Sequence, residues 1–579
     1  MKWKSVVTSS VALFLSQGGL SVPLAENDIV KRDIPKAVYA HFMVGIVENY
    51  TVDDWKMDMA YAMEIGIDGF ALNNANIDSY TPTQLANAYQ AAQEVGFKVF
   101  ISFDFAYWNN GNTAQITAYM QQYANHPAQA MYDGGAIVST FVGEYFDWAP
   151  VKAAVSHKIV ALPMMEDPIQ VNQLHTSFDG AFSWYAWPTD GGNSIIPGPM
   201  TTVWDDKFIA NLAGRPYMAP VSPWFSTHFN SKNWVFISEQ LITDRWNQML
   251  ALKPSLIEII TWNDFGESHY ISPPEPHHKD DGSSQWADGM PHDGWRIIMK
   301  PYIAAYKAGL SAPVVDKDQL VYWYRPTPKN TQCSGDPLGP PSGRDLLADV
   351  VFVTTLLTSP GQLTVQSGGN APVTINVPAG VTTHNFTMGV GSQQFHVSRS
   401  GSQILGGTGG LDIKNTCIFY NFNAYVGSFN GTGGNPPPSS SSTSSSSSTS
   451  TTTRPTTSTS TSSTSTSTST STTTTPPPTT TTTTSAKPTS TSSPSNVCTA
   501  GTVAPGESGN YIGLCNFSCS YGYCPPGPCV CTAYGSQKPL PPTSGYQGCP
   551  LPGEGDGYLG LCNFACSHGY CPNTACQRC

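Results

Sequence analysis

Between about Ala37 and Gly309 the chain alternates short apolar runs with longer amphipathic stretches. The long stretches repeat their apolar positions every three to four residues, as surface helices do, whereas the short runs are almost continuously apolar, as buried parallel strands are. Eight such runs predict strands: AVYAHFMVGIV, DGFALNN, KVFISFDF, AIVSTFVGEYF, KIVALPMME, GAFSWYAW, PYMAPVSPWF and IEIITWNDF.

Eight strands, nearly all followed by a helix, predict an α/β domain over residues 33–312 that forms a TIM-like (β/α)8 barrel. A doubly wound open sheet is the alternative. It is disfavoured because no glycine-rich nucleotide fingerprint follows the first strand.

The helical period disappears after Pro313. Short β-rich segments separated by Gly and Pro, such as QLVYWYRPT, DVVFVTTLL and QQFHVSRS, predict an antiparallel β-sandwich over residues 313–435. Cys333 and Cys417 are the two cysteines of this region and are candidates for a disulfide across it.

The remaining chain divides into a spacer and a tail. Residues 436–496 are almost entirely Ser, Thr and Pro, which cannot bury a core, so we predict a disordered, O-glycosylated linker. Residues 497–579 hold twelve of the fourteen cysteines and contain a repeat offset by 47 residues, GNYIGLCNFSCSYGYCP and DGYLGLCNFACSHGYCP. Each copy fits a six-cysteine unit, and the sequence alone does not choose among the fifteen pairings that six cysteines allow.

The first residues have the layout of a secretory signal. MKWKSVVTSSVALFLSQGGLSV places two lysines before a short apolar run and small residues, and we interpret residues 1–32 as signal peptide and propeptide, ending at the dibasic pair Lys31 and Arg32. The cysteine-rich tail adds the expectation of disulfides formed during secretion. The sequence therefore predicts an extracellular protein, and sequons at Asn49, Asn385, Asn430 and Asn516 are compatible with glycosylation.

Charge narrows the range of partners. The formal net charge is −12, and removal of residues 1–32 deletes four positive and two negative side chains, which leaves −14. An acidic chain is repelled by nucleic acid and by anionic membranes, so neither is expected as a partner. A neutral polysaccharide suffers no such repulsion, and we expect the protein to act as a monomer.

Polar and aromatic residues end several of the predicted strands. In a barrel of this type the active site lies at the carboxyl ends of the strands, so these positions are candidates for substrate binding. Carboxylates and amides accept hydrogen bonds from hydroxyl groups, and aromatic faces stack on sugar rings. The candidates are Asn73, Asp104, Glu144, Trp187 and Trp224.

The last predicted strand leads directly into TWNDFGESHYI. Cleavage of a glycosidic bond needs one carboxyl group to protonate the leaving oxygen and a second to activate water or attack the sugar, and Asp264 and Glu267 supply two. In an extended segment their Cα atoms would lie about 10 Å apart. That allows the roughly 6.5–9.5 Å carboxyl separation of inverting enzymes without excluding the shorter retaining distance. The flanking candidates for substrate binding are Trp262, Asn263, His269 and Tyr270.

Structural roles compete with these assignments. A D-x-x-E segment after a strand often caps a helix or forms an ion pair, and the flanking aromatic residues are what favour function here. His41 fits a hydrogen-bonded core histidine better than a base. The segment PHHKDDG lacks the ligand spacing of a rigid site, so no metal is expected, and no cofactor either. No G-x-S-x-G follows a predicted strand, which disfavours a serine hydrolase.

Two long motifs carry a family resemblance. The segments KAVYAHFMVGIVENYTVDDWKMDMAYAMEIGIDGFALN and EIITWNDFGESHYISP resemble glycoside hydrolase family 71, the fungal α-1,3-glucanases or mutanases, and the likeness runs over about residues 36–430. The tail, through its GLCNF and GYCP elements, resembles carbohydrate-binding module family 24, which is associated with α-1,3-glucan.

The resemblance implies hydrolysis of α-1,3-glucosidic bonds in insoluble glucan, with inversion, by Asp264 and Glu267. We assign Glu267 as the general acid and Asp264 as the base, although the residues do not decide between the two. Endo and exo attack are equally open. The alternatives are a non-catalytic wall-binding protein and a hydrolase of another glucan linkage, because a carboxylate pair does not encode linkage.

Overall fold

The computed structural model describes residues 34–274, 277–430 and, with short gaps, 497–578. The gaps in the last part are 505–510, 526–527, 536–537, 539, 541–547, 552–557, 569 and 573–574. The predicted signal and propeptide (1–32) and the predicted linker (436–496) lie outside the described residues. Among the residues that are described, no helix is both long and apolar enough to cross a membrane.

The first part of the chain is built from short strands and intervening helices. Its strands are β1 Ala37–Met43, β2 Gly69–Asn74, β3 Lys98–Asp104, β4 Met131–Tyr132, β5 Gly135–Phe141, β6 Ile159–Pro163, β7 Ala181–Phe182, β8 Tyr217–Val221, β9 Ser226–Phe229, β10 Lys232–Val235 and β11 Leu256–Ile259. Its helices are α1 Val52–Glu64, α2 Thr81–Val95, α3 Thr113–Tyr123, α4 Ala149–Ala154, α5 Val203–Leu212, α6 Leu241–Leu252, α7 Ser284–Ala287 and α8 Asp293–Lys307.

Eight parallel strands form one curled, TIM-like sheet in the order β6-β5-β3-β2-β1-β11-β8-β7. A further parallel bridge, between Met164 directly after β6 and Phe182 of β7, links the two strands at the ends of this order. The eight predicted strands are therefore confirmed. The short strand β4 pairs antiparallel with β5, and the β9–β10 hairpin, which the sequence did not predict, lies between β8 and α6.

Local chemistry explains where the helices begin and end. At Thr51 the side chain accepts a hydrogen bond from the backbone N–H of Asp54, and the Asp54 carboxylate accepts one from the backbone N–H of Thr51, which makes a capping box for α1. Helix α2 ends at Gly96, whose φ of 78° is a conformation that glycine adopts without strain. The parallel strands are buried on both faces, which is why they read as continuous apolar runs.

The next part of the chain, which we call the β-domain (residues 313–430), holds two four-stranded antiparallel sheets. Their orders are β16-β13-β12-β19 and β15-β14-β17-β18, and apolar side chains of both sheets share one core. The strands are β12 Gln319–Tyr324, β13 Val350–Leu357, β14 Gly361–Ser367, β15 Val373–Val377, β16 Gly380–Thr387, β17 Gln393–Arg399, β18 Ser402–Thr408 and β19 Tyr425–Phe429. The predicted disulfide Cys333–Cys417 is confirmed, whereas β18, with its two glycines, was not predicted.

Strand β12 joins the β-domain to the parallel sheet and its helices. All six of its residues are buried, and they alternate between two cores. Leu320, Tyr322 and Tyr324 face the core between the two antiparallel sheets, whereas Val321 and Trp323 belong to the core that includes α8. The indole N–H of Trp323 donates to the carbonyl of Glu239 at 2.8 Å. The two parts therefore pack through apolar side chains of one strand.

The tail contains two similar units. The first holds β20 Val497–Val503, α9 Ile512–Ser520 and β21 Cys529–Gly535, and the second holds β22 Gly548–Pro550, α10 Leu559–Ser567 and β23 Cys576–Arg578. The disulfides of the first unit are nested: Cys498–Cys531, Cys515–Cys529 and Cys519–Cys524. The second repeats the inner two as Cys562–Cys576 and Cys566–Cys571. Such small units bury little apolar surface, so covalent links replace part of a core.

Removal of one buried ion pair is expected to destabilise the parallel sheet. Arg245 of α6 is fully buried and binds both carboxylate oxygens of Asp205 in α5, at 2.6 and 2.7 Å. The substitution Asp205→Ala strands a buried guanidinium, which costs about 3–5 kcal/mol of unfolding free energy. Chemical denaturation measures it, with Asp206→Ala, an exposed acid of the same helix, as a control expected to change stability by about 0.5 kcal/mol or less. Equal losses in both variants would contradict the assigned role of the pair.

Candidate active site

The loop that follows β11, residues 260–272, which we call the β11 loop, is held in shape by its own polar side chains. The backbone N–H of Asp264 donates to the Thr261 hydroxyl at 2.9 Å, and that of Glu267 donates to the Asp264 carboxylate at 2.9 Å. The Asn263 amide clamps Met43 at the end of β1, accepting from its N–H at 2.7 Å and donating to its carbonyl at 3.2 Å. The two acids therefore lie on a loop that is fixed at both the turn and the strand.

Glu267 is enclosed by two cationic or potentially cationic groups. The ammonium of Lys232, from β10, contacts one carboxylate oxygen, and Nε2 of His269 lies 2.8 Å from the other. The second ring nitrogen of His269 lies 3.0 Å from the Thr261 hydroxyl, so the fully buried imidazole has a set orientation. Burial alone would raise the pKa of Glu267, but the charge of Lys232 and the hydrogen bond from His269 lower it to about 2.

The pKa of Asp264 is shifted in the opposite direction, upward. Burial raises its pKa, and the neighbouring Glu267 carboxylate adds to that rise, against the lowering by His269 and Lys232. Its side chain keeps 18% of its surface exposed, which leaves it open to a ligand. One carboxylate oxygen of Asp264, one of Glu267 and a nitrogen of His269 lie within 4.8 Å of one another. The surroundings thus raise the pKa of one carboxyl group and lower the pKa of the other.

A cavity of about 300 Å³ opens beside this pair. It lies at the carboxyl ends of β5, β6, β7 and β8 and is covered on one side by the β9–β10 hairpin. Its aromatic wall is made of Phe141, Trp184, Tyr185, Trp187, Phe225, Trp234 and Phe236. Its polar groups include Glu166, Thr189, Asn193, Lys232 and Glu267. Aromatic faces with a few converging polar groups are typical of a small-molecule or sugar site.

Comparison with known proteins places most of the chain in one family. Residues 34–440 match the glycosyl hydrolase family 71 along their whole length. The chain belongs to family 71. It is 62% identical to a mutanase of Penicillium rubens over 75% of this chain and 98% of that protein. It is 40% identical to the glucan endo-1,3-alpha-glucosidase agn1 of Schizosaccharomyces pombe over 68% of this chain and 94% of that protein.

Similarity to solved structures is much lower. A GH99 endo-alpha-mannosidase from Bacteroides thetaiotaomicron aligns with a TM-score of 0.37 at 12% identity, over 47% of this chain and 98% of that one.

In this family 71 chain, the site residues predicted from the sequence fall into two groups. Glu267 and Trp187 line the cavity, and Asp264 and His269 lie beside Glu267. Glu144 accepts a hydrogen bond from the backbone of Glu166 at 3.3 Å and so supports a residue of the cavity wall.

The second group lies away from the cavity lining. Asn73 donates to Asp104 in the neighbouring strand, and burial raises the pKa of Asp104. Asn263 clamps Met43, as described above. Trp262 is fully buried and donates to Asp58 at 2.8 Å. The Trp224 indole donates to the carbonyl of Phe422 in the β-domain at 2.9 Å.

Tyr270 also belongs to the second group and is fully buried where the β11 loop meets the β-domain. Its hydroxyl donates to the Met290 carbonyl at 2.5 Å and accepts from the Asn423 amide at 3.0 Å. His41, expected in the core, is fully buried with Nδ1 2.6 Å from Glu258.

Sequence analysis did not identify Lys232, Trp184, Trp234 or Phe236 as site residues. Three of these lie on or next to the hairpin, in FSTHFNSKNWVF, where two alternating runs flank a polar turn. That pattern is a hairpin signal, although it does not indicate which strand faces the acids.

A metal role is weakly supported by the geometry. Asp264, Glu267 and His269 are compact enough to bind an ion, but the ammonium of Lys232 already lies on Glu267 and would repel a cation. The other compact group, Cys498, Cys519 and Cys524, is bound in disulfides.

The placement of Tyr270 leads to a test of its structural role. Tyr270→Phe removes a buried hydroxyl from two hydrogen bonds, so the unfolding free energy is expected to fall by about 1–3 kcal/mol. Denaturant titration measures the change. Tyr145→Phe is the matched control, because that ring is 59% exposed, and its effect is expected within about 0.5 kcal/mol. A Tyr270→Phe variant as stable as the control would show that the hydroxyl does not hold this junction together.

Proposed function

We propose that the protein is a secreted mutanase that hydrolyses α-1,3-glucosidic bonds of insoluble α-1,3-glucan. The observation that carries the proposal is the pair Asp264 and Glu267, with opposed proton affinities, at an aromatic cavity in a family 71 chain. The similarity to an enzyme named glucan endo-1,3-alpha-glucosidase supports the α-1,3 linkage as the substrate bond. It also favours attack on bonds inside the polysaccharide over attack at its ends. The curled sheet is proposed to be a complete (β/α)8 barrel, and the parallel bridge between Met164 and Phe182 supports this closure.

The domain boundaries remain those expected from composition and pattern. We propose signal and propeptide, catalytic barrel, β-sandwich, linker and glucan-binding tail over residues 1–32, 33–312, 313–435, 436–496 and 497–579.

The division of roles follows from the charges. An acid must hold its proton at working pH, and a base or nucleophile must not. Asp264, whose pKa is raised, suits the proton donor, and Glu267, whose pKa is about 2, suits the ionised partner. This division reverses the assignment made from the sequence, where the charge of Lys232 was not in view.

The separation of the two groups bears on stereochemistry. One oxygen of Asp264 lies within 4.8 Å of one oxygen of Glu267. The two carboxyl groups of retaining enzymes are about 5–5.5 Å apart and those of inverting enzymes about 6.5–9.5 Å, so a pair in such close contact favours the retaining arrangement. The family resemblance implies inversion. Retention would follow from Asp264 and Glu267 acting alone, whereas inversion would bring in another carboxylate, such as Glu166 in the cavity wall. NMR of the first products distinguishes the two outcomes.

Sugar rings are proposed to stack on the aromatic wall, chiefly on Trp184 and Trp234, which are partly exposed, while Trp187, which is 3% exposed, completes the wall behind them. Asn73, Asp104 and Glu144 remain proposed as groups that bind sugar hydroxyls or hold the residues that do. Trp224, Trp262 and Tyr270 are proposed to act only through the packing that supports the β11 loop, because the buried contacts described above occupy their polar atoms.

Loss of either carboxylate is expected to abolish catalysis. Asp264→Asn and Glu267→Gln keep side-chain size but remove the acid or the charge, and we expect kcat to fall by at least about 10²–10⁴-fold. Reducing-sugar release from α-1,3-glucan measures it, with Asp316→Asn, an exposed acid, as a control expected to retain activity. Near-normal turnover in both active-site variants, with intact folding, would overturn the assignment.

The tail is proposed to bind α-1,3-glucan and to keep the barrel near its surface. Its two units contact each other through stacked rings: Tyr511 on Tyr558, Phe517 on Tyr570 and Tyr523 on Phe564. The two units therefore pack into one body. Exposed rings remain for a sugar, for example Tyr534, which is 68% exposed. An anchored enzyme meets an insoluble substrate at a higher effective concentration.

Deletion of residues 436–579 is expected to separate anchoring from chemistry. Activity on insoluble α-1,3-glucan should fall by about tenfold or more, because the gain from effective concentration is lost. Activity on soluble α-1,3-oligosaccharides should stay near that of the full chain, and this is the internal control. Initial rates on both substrates measure the effect, and equal losses would argue against a targeting role.

A further inference from the structure

The β9–β10 hairpin contacts the β11 loop at several points, and one of them joins the hydroxyls of Ser226 and Ser268 at 3.4 Å. The backbone N–H of Ser226 donates to the carbonyl of Glu267 at 3.1 Å, and Lys232 contacts the Glu267 carboxylate. Between them, the Phe229 ring packs so closely on Gly266 that a Cβ there would lie 3.0 Å from the ring. The hairpin thus holds both the backbone and the side chain of Glu267.

The opposite side of the hairpin is held by the β-domain. His228 of β9 places Nε2 2.6 Å from the Asp336 carboxylate, with both side chains buried. In β10, the Asn233 amide donates to the Gly339 carbonyl at 3.2 Å. The backbone N–H of Ser342 donates to the carbonyl of Asn233 at 3.0 Å, and the backbone N–H of Val235 donates to the carbonyl of Ser342 at 2.9 Å. A segment of the β-domain therefore pairs with the edge of the hairpin.

Asp336 is itself fixed. Its carboxylate accepts hydrogen bonds from the backbone N–H groups of Leu338 and Tyr420, at 2.9 and 2.7 Å. The disulfide Cys333–Cys417 lies three residues before Asp336 on one segment and three before Tyr420 on the other. The anchor of the hairpin is therefore covalently tied within the β-domain.

The charges around Glu267 explain why this anchor bears on chemistry. Lys232 and His269 face Glu267, and Asp264 is its acidic neighbour. Asp281 also faces Lys232 and Asp264. Among these groups the positive charge comes from Lys232 of the hairpin, and His269 of the β11 loop adds a hydrogen bond to Glu267. A small outward movement of the hairpin would leave Glu267 buried beside two other carboxylates, which disfavours its ionised state.

We propose that the β-domain is a working part of the active site: through Asp336 and His228 it holds the β9–β10 hairpin so that Lys232 stays against Glu267. Lys232 is a positioning residue that acts through Glu267, and the inference rests on the proposed catalytic pair. A β-domain that merely stabilises the fold would leave the ionisation of the pair unchanged when the anchor is broken.

The test is the pH profile of kcat/KM on a soluble α-1,3-oligosaccharide, measured with the full-length chain. Lys232 favours the charged forms of both Glu267 and Asp264, so its loss raises the pKa of each, and both limbs of the profile move to higher pH. For Lys232→Met we expect a move of about one to three pH units, the range that a close opposite charge produces. Lys232→Arg keeps the charge and should keep the profile within about half a unit. Lys232→Gln, a polar neutral variant, should shift the profile like Lys232→Met. It provides the same test if the Lys232→Met variant does not fold.

The anchor is tested in the same assay. Asp336→Asn should move the profile in the same direction as Lys232→Met and by less. In a Lys232→Met background it should add no further movement, because the charge that it positions is already gone. Asp345→Asn, an acid of the same domain with 84% of its side chain exposed, is the matched control and should leave the profile in place.

The outcomes distinguish the role of Lys232, the role of the β-domain and the catalytic pair itself. A wild-type profile in folded Lys232→Met and Lys232→Gln variants, with Glu267→Gln inactive, overturns the role of Lys232 and leaves the catalytic pair intact. A profile that moves with Lys232→Met but not with Asp336→Asn overturns the role of the β-domain. Full activity of Glu267→Gln would instead remove the catalytic pair, and that is a failure of the proposed function.

Discussion

The proposed active site depends on one constraint: a buried carboxylate, Glu267, has to stay ionised. Glu267 lies where burial favours its neutral form, and two groups from different parts of the chain reverse that preference: Lys232 from the hairpin and His269 from the same loop. The rest of the β11 loop serves the same end, because Thr261 and Asn263 fix the turn that presents the acids. For Asp264, a few ångströms away, burial and the charge of Glu267 act in the opposite direction and raise its pKa. The electrostatic difference between two adjacent acids is thus a property of their surroundings.

This constraint connects the two larger parts of the molecule. Strand β12 shares its alternate side chains between two cores, so the β-domain is packed against the helices of the parallel sheet instead of being tethered to them. Hydrogen bonds between the two parts fix how their apolar surfaces pack. Trp224 and Tyr270, both from segments that follow strands of the parallel sheet, bond to Phe422 and Asn423 of the β-domain. An accessory domain joined so closely has a direct route to the site through the loops it supports.

The tail solves a different physical problem. Units of about forty residues bury too little apolar surface to be stable alone, and nested disulfides compensate for that. The rings that stack between the two units are related by the 47-residue offset, since Phe517 and Tyr523 correspond to Phe564 and Tyr570. The repeat therefore packs on itself in a reciprocal way, with Tyr511 and Tyr558 meeting each other. Disulfides hold each unit, and aromatic packing holds the pair.

Much of this protein could be read from its sequence. The eight parallel strands, the β-rich second part, the Cys333–Cys417 bridge and the two acids after the last strand were all predicted, because burial on both faces, alternation and cysteine spacing leave local patterns. Three features were decided by tertiary structure. Trp262 and Trp187 look alike in sequence, yet one fills a core and the other a cavity wall, since apolar character reports burial but not what a side chain is buried against. Lys232 gave no signal because its partner lies 35 residues away. The proton affinities of Asp264 and Glu267 depend on charges delivered by that distant hairpin, so no local pattern contains them.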